Sequence, residues 1–463
     1  MMTLQQALEW ITSAGLSATL VGDSGVRISR VHTDTRTLQP GDLFVALKGE
    51  RFDANDFLLQ AGQQGAMAAI AHRGLAAAGL SGLEVQDSRL ALAALAQAWR
   101  AQLDIPLAAV TGSNGKTTVT QMIASIFKAW KHDDAFSTQG NLNNDIGVPL
   151  TLLRLREHHQ LGVVELGMNH PGEIAFLAGL TRPTVALVNN AQREHLEFMG
   201  TVDAVAKENG AVIGSMDERG TAVFPADDEH SGMWHELAGS RKVMTFALAA
   251  PADVTAKAHW NANGWEVLAS TPEGPINFSL AIAGWHNVKN ALAATACALA
   301  AGVPSDFIAK GLSDFEPVKG RSRAMLFENK GHAFTLIDDT YNANPDSMRA
   351  AIEVLAGLAA PRLLVMGDMG EVGDQGPQFH DEAGRLAREL GVEKLFALGE
   401  QSARASSSFG HGVHFEGMAA LNAAVLAELP ALGSVLVKGS RFMKMERVVQ
   451  AITDQEKQQR ETT

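Results

Sequence analysis

The chemistry of this chain is concentrated first in Gly112-Ser113-Asn114-Gly115-Lys116-Thr117-Thr118, directly after the apolar run Ala108-Ala-Val-Thr111. Two glycines let the backbone bend so that its N–H groups point inward at an anion. A helix beginning near Lys116 adds partial positive charge at its N-terminus. Lys116 can reach the outer phosphates of a nucleotide, and the Thr117 hydroxyl can ligate Mg²⁺. The stretch therefore reads as an ATP or GTP site. The general pattern G-x-x-x-x-G-K-[ST] would place its first glycine at Val110, so the match is to the narrower T-G-x-N-G-K-T. The alternative is an ordinary strand-to-helix turn with a chance lysine.

Other polar groups follow apolar runs. Glu165, closing Val163-Val-Glu165, can hold Mg²⁺ directly or through water, or cap the next turn. His195, beyond Val188-Asn-Asn190, can ligate Mg²⁺, bond a phosphoryl oxygen or serve structure. Asn287 and Asn290 sit three apart on one helix face and can present amides to a base edge, unless Asn287 is simply an N-cap. Arg321, in Val318-Lys-Gly320-Arg321, can fork onto phosphate from a second domain on closure, or be a surface linker charge. Asp339-Thr-Tyr341-Asn342-Ala-Asn344 holds more polar groups than helix capping needs, so a ribose or phosphate contact is expected there. Asp368, Lys438 and Arg441 come just after further strands, where an open parallel sheet presents its ligand crevice. The two cations suit an anionic substrate group or a solvated surface.

The elements that must position these groups fall into three segments of an α/β chain. Residues 1–104 form a small α/β unit, with strands at 31–36 and 43–47 and a closing helix at 89–103. Residues 105–317 begin with the glycine-loop strand and continue through strands at 162–165 and 184–188 and a helix at 202–216. A polar β-rich insertion is expected at 220–283, then an Ala/Leu-rich helix at 287–301. Residues 318–463 alternate strand and helix in a Rossmann-like manner, without the Gly-x-Gly-x-x-Gly of a dinucleotide site. The helices are expected at 346–358, 378–390, 418–429 and 442–451, with residues 454–463 frayed.

A chain of 463 residues is too long for one core, which agrees with several domains. Its net charge of −13 argues against a nucleic-acid or anionic-membrane surface. The single cysteine, Cys297, excludes an intramolecular disulfide and suits a reducing cytosol. The first ten residues lack the basic start and apolar stretch of a signal peptide, and no apolar run is long enough for membrane insertion. A cytoplasmic location is expected.

Taken together, Thr111-Gly-Ser-Asn-Gly-Lys-Thr117, Gly284-Trp-His-Asn287-Val-Lys-Asn290 and Gly320-Arg321 resemble the Mur ligases, ATP-dependent amide-forming enzymes of peptidoglycan synthesis. Gly140-Asn141-Leu-Asn143-Asn-Asp-Ile-Gly, Glu165-Leu-Gly-Met-Asn-His170, Tyr341-Asn-Ala-Asn-Pro345 and Gly367-Asp-Met-Gly-Glu371 look most like the branch that joins D-alanyl-D-alanine to UDP-N-acetylmuramoyl-tripeptide. The resemblance extends to Asp34-Thr35-Arg36 and to Lys48 in Leu43-Phe-Val-Ala-Leu-Lys48-Gly, similar to the family's nucleotide-sugar domain.

The resemblance implies three domains: 1–104 for the UDP-sugar, 105–317 for ATP and Mg²⁺, and 318–463 for the dipeptide. It implies phosphoryl transfer to a carboxylate, with Lys116, His195 and Arg321 catalytic and Thr117, Glu165 and His195 toward the metal. Gly112 to Thr118, Asn287, Asn290, Arg321, Asp339 and Asn342 would hold the nucleotide. Asp34, Thr35, Arg36, Lys48, Asn141, Asn143, Tyr341, Asn344, Asp368, Lys438 and Arg441 would hold substrates, in a monomer. One position departs. Where the family often has a carbamoylated lysine toward a second Mg²⁺, this chain has Asn209. Lys207 lies two residues earlier, roughly 200° around a helix, and is not assigned to that role. The rival readings are another amide ligase of the superfamily, such as the tripeptide-forming Mur ligase or a folylpolyglutamate synthetase, and a nucleotide-gated binding protein without turnover.

Overall fold

A computed structural model describes every residue except 51, 262–263, 330–331 and 462–463. Three sheets carry the chain. Near the N-terminus a five-stranded sheet, parallel except at one edge, is built from residues 18–85. The helix Ser88–Arg100, N-capped by the Asp87 carboxylate, leads out of it. Its buried face joins residues of the first sheet and of the central domain in one continuous apolar core. The buried Arg100 guanidinium donates to the carbonyls of Thr181 and Arg182, which fixes the linker to the central domain.

The central sheet has six parallel strands, with Leu107–Thr111 and its neighbours Leu161–Glu165 and Val185–Val188 in the middle. These short runs are buried at every residue, the pattern of a sheet covered on both faces. The insertion expected at 220–283 is corrected. Thr221–Pro225 and Lys242–Phe246 extend the parallel sheet, with helix Ser231–Ala238 between them. Only Thr255–Asn261, Gly264–Thr271 and Gly274–Leu280 form a separate antiparallel sheet. Thr221–Pro225 is buried at every residue, which a solvent-facing insertion would not be.

Helix Lys116–Lys131 follows the glycine loop and is crossed closely by helix Ser305–Ser313. A Cβ on Gly311 would stand 2.3 Å from the Ile126 Cα, so only glycine permits this approach. Helix Trp285–Ala300 covers the same face of the sheet.

The third sheet has six strands, parallel except for an edge hairpin formed by Arg323–Asn329 and His332–Asp339. That hairpin was not anticipated. Its second strand lies beside Ser434–Lys438, which in turn neighbours Arg362–Gly367. The last helix is Glu446–Glu461, so it continues through most of the end expected to fray, and residues 462–463 lie outside the described residues. Val448, Val449 and Ile452 are buried against the sheet and hold the helix in place. Its start is delayed because Arg441–Met443 makes a tight turn that ends at Lys444 in the left-handed region.

Candidate active site

A cavity of about 770 Å³ lies where the C-terminal ends of the central strands meet the third sheet. Ser113 to Thr118, Asn143, Glu165, His195, Asn287 and Asn290 line it from the central domain. Arg321, Asp339, Tyr341, Asn342, Asn344 and Lys438 line it from the other side.

The glycine loop is shaped by asparagines from elsewhere. The N–H groups of Gly112, Ser113 and Asn114 donate to Asn209 Oδ1, the Asn190 carbonyl and Asn190 Oδ1, at 3.0, 3.1 and 2.8 Å. Those three donors are therefore not turned to an anion, which corrects the sequence expectation. The groups left facing the cavity are at the start of the helix, where N–H groups lack intrahelical partners and Lys116, Thr117 and Thr118 line the wall. Gly115 has φ +80°, and a Cβ there would stand 2.6 Å from Asn290 Oδ1. A side chain at 115 would be both strained and crowded.

Lys116 Nζ donates to the carbonyls of Gly112 and Ser113 and to Glu194 Oε1 at 2.8 Å. Thr117 Oγ1 donates to Glu165 Oε1 at 3.2 Å, and Asn143 Nδ2 donates to the same oxygen at 2.7 Å. Among the described residues no three His, Cys, Asp or Glu side chains converge as a metal cage. Mg²⁺ does not need one, because it keeps waters and takes one or two carboxylates beside phosphate oxygens. The adjacent Thr117 hydroxyl and Glu165 carboxylate are donors of that kind, so the residues fit the ion.

His195 is held between two carboxylates. It has φ +51°, and its Nδ1 lies 2.6 Å from Glu371 Oε2, with Nε2 3.5 Å from Glu194 Oε1. Burial works against its charge, but the bonds to Glu194 and Glu371 outweigh it and raise the pKa to about 9. Between these two carboxylates the ring favours its charged form, which places a positive charge at the edge of the cavity.

Asn287 is not the N-cap; helix Trp285–Ala300 begins two residues earlier, after Gly284. Its Nδ2 donates to the Ala283 carbonyl, and its Oδ1 accepts from Asn290 Nδ2. Asn290 Oδ1 accepts in turn from Asn189 Nδ2. These linked amides fix the loop beneath the cavity.

The strand end at Asp338 and Asp339 straps down the linker that carries Arg321. Asp338 Oδ2 accepts from the Gly320 N–H, and Asp339 Oδ1 accepts from the Ser322 N–H. Between these clips the Arg321 guanidinium stacks 4.0 Å from the ring centroid of Tyr341, the only tyrosine in the chain. Lys438 Nζ donates to Asp339 Oδ2 at 2.6 Å and to the Asn342 carbonyl. Its side chain is 3% exposed. It therefore braces the 339–342 loop from the cavity wall, with two of its three N–H donors engaged. Burial opposes ionisation of Asp339, yet Lys438 keeps its carboxyl below the usual range. Lys438→Met leaves that buried carboxylate unpaired and should cost about 3–5 kcal/mol of stability. An unchanged urea midpoint would contradict this.

Other residues expected to hold substrates are engaged by other partners or lie outside this cavity. Asn344 caps helix Pro345–Ala356, accepting from the Ser347 N–H, while its Nδ2 donates to Asn114 Oδ1. It joins the two domains with its amide already engaged. Asp368 Oδ1 accepts from the Ser402 N–H at the start of helix Ser402–Phe409 and does not line the cavity. Asn141 is exposed and outside the cavity, where its neighbour Asn144 lies instead. Arg441 also lies outside, 5.8 Å from the Tyr341 ring and paired with Glu446. Asp34, Thr35, Arg36 and Lys48 belong to the first sheet's surface and are not brought to this cavity. Asp34 caps the turn Thr35–Thr37 and pairs with the exposed Arg36. Asn209 is fully buried under the glycine loop and Lys207 is exposed, so the lysine does not stand in for it.

Sequence reasoning missed Gln192, Arg193 and Glu194. Their signal was the polar run Asn189-Asn-Ala-Gln-Arg-Glu-His195 after a buried strand.

The chain matches three family profiles in order: Mur ligase family, catalytic domain, over residues 27–100; Mur ligase middle domain over 110–298; and Mur ligase, glutamate ligase domain, over 322–441. It is also 42% identical over 453 residues to the UDP-N-acetylmuramoyl-tripeptide--D-alanyl-D-alanine ligase of Escherichia coli (strain K12), covering 96% of this chain and 98% of that protein. The chain belongs to the Mur ligase family. As a Mur ligase it also resembles the crystal structure of MurF from Acinetobacter baumannii, with a TM-score of 0.89, 36% identity and 98% of each chain covered. MurF ligase from Thermotoga maritima in complex with ADP aligns with a TM-score of 0.82 and 25% identity, over 95% of this chain and 99% of that one. The three-domain α/β architecture read from the sequence is that of the family.

Proposed function

We propose that this Mur ligase joins D-alanyl-D-alanine to UDP-N-acetylmuramoyl-tripeptide, forming ADP and phosphate, as a monomer in the cytoplasm. The observation that carries the reading is the end-to-end similarity to a ligase of that name, together with a glycine-loop lysine and a linker arginine on one cavity. Among the described residues no helix is long and apolar enough to cross a membrane. In this reading residues 1–104 hold the UDP-sugar, 105–317 hold ATP, and 318–463 hold the dipeptide.

A carboxylate is a poor acyl donor at neutral pH. The peptide carboxylate attacks the γ-phosphorus of ATP and ADP leaves, giving an acyl phosphate. The dipeptide amine then attacks the carbonyl, and phosphate departs as the amide forms. Two anions approach in the first step, so the site must supply positive charge and alignment. Lys116 and the helix start face the phosphates, Arg321 brings a charge from the linker, and the protonated His195 adds one at the rim. Thr117 and Glu165 would hold Mg²⁺, which when bound neutralises phosphate charge. The amine, with a free pKa of about 8, must lose a proton before it attacks.

The test is dipeptide-dependent phosphate release from ATP and the UDP-muramoyl-tripeptide. Release stimulated by D-alanyl-D-alanine supports the reading. Stimulation by a different amine alone points to a sister ligase, and tight ATP binding with no product under any mixture points to a binding protein.

A further inference from the structure

Arg193 lies outside the cavity lining, yet it pairs with two carboxylates of the third domain. Its backbone N–H donates to Asp346 Oδ2 at 2.8 Å, and its Nε and Nη2 donate to Asp346 Oδ1 at 3.0 and 2.6 Å. Nη1 donates to Glu382 Oε2 at 2.9 Å and Nη2 to Oε1 at 3.3 Å. The guanidinium lies 5.1 Å from the Phe379 ring centroid. Asp346 belongs to helix Pro345–Ala356, and Phe379 and Glu382 belong to helix Gly376–Glu389. Glu382 is also held by Arg349.

The neighbours of Arg193 make this contact mechanical. Gln192 Oε1 accepts from Asn114 Nδ2 in the glycine loop. Glu194 pairs with Lys116, and His195 with Glu371 of the third domain. Consecutive side chains thus alternate between the phosphate loop and the third domain. A planar fork that satisfies two carboxylates at once is the geometry in which arginine outperforms lysine.

We infer that Arg193 is a positioning residue: by clamping Asp346 and Glu382 it holds the third domain closed and keeps the 192–195 loop in register with Lys116. The inference concerns closure, and rests on the proposed ligase reading only for its kinetic arm.

Two measurements on the full chain test it. In small-angle scattering with saturating ADP, Arg193→Ala is expected to be more extended than the parent. Superimposable curves would overturn the inference, whether or not the parent ligates. In steady-state ligation, Arg193→Ala is expected to lower kcat by about a hundredfold with ADP affinity by calorimetry unchanged. Arg193→Lys recovers part of the loss. Glu382→Gln, remote from the cavity, lowers kcat as well, and the double variant is less than additive. A parental kcat, additive losses, or ADP affinity falling in step with kcat would each contradict the clamp. A parent that closes on ADP but never ligates contradicts the ligase reading alone.

Discussion

Lys116→Ala lowers ligation by at least about a hundredfold, or about 3 kcal/mol of barrier. The lysine is the one cation rooted in the phosphate loop itself, and its Nζ is held by two loop carbonyls and Glu194. Its removal has a second consequence. The Glu194 side chain is 11% exposed, and its Oε2 already lacks a hydrogen-bond partner. Without Lys116 it loses one of its two cationic partners and keeps only His195, which lowers the stability of the fold. The two effects separate in the double variant Lys116→Ala/Glu194→Ala. Its melting temperature should return toward the parent's, while its turnover stays lost. A single variant that turns over near the parental rate would contradict the role given to this lysine.

Arg321→Ala gives the other large loss, about a thousandfold in kcat, as expected for an arginine brought to a transferring phosphoryl group from another segment. The arginine is not on a loose linker. Asp338 and Asp339 clip the backbone on either side of it, and Tyr341 stacks on its guanidinium. ADP affinity should change little, because Lys116 and the helix start that face the nucleotide belong to the central domain. Arg321→Lys keeps the charge but loses the planar stack, and should restore only a small part of the rate. Calorimetry and turnover on the same preparations decide this. A fall in ADP affinity matching the fall in kcat would make Arg321 a ground-state binding group instead.

Much of this site was legible in the sequence because local rules decide it. An apolar strand followed by Gly-x-Asn-Gly-Lys-Thr places Lys116 and Thr117 at a helix start. Glu165 ends a buried strand, and strands alternating with helices gave the two parallel sheets. Several misses share one physical cause. Side chains that look free in sequence are claimed by partners far along the chain. Asn209 and Asn190 take the N–H groups of the glycine loop. Asp339 takes Lys438, and the Ser402 N–H takes Asp368. No spacing rule announces a pairing across such separations. The 221–246 strands were misread because exposed and buried β-runs differ in what covers them, and the covering helix Trp285–Ala300 lies later in the chain. Arg193 was passed over for the converse reason. A single arginine in a polar loop is unremarkable until two helices of another domain bring it carboxylates.

The central claim is that a peptide carboxylate is phosphorylated before the amine attacks. Its most direct test follows oxygen. With UDP-muramoyl-tripeptide labelled by ¹⁸O in the reacting carboxylate, the phosphate released with D-alanyl-D-alanine should carry one ¹⁸O atom by mass spectrometry. Amide formation with unlabelled phosphate would contradict the account.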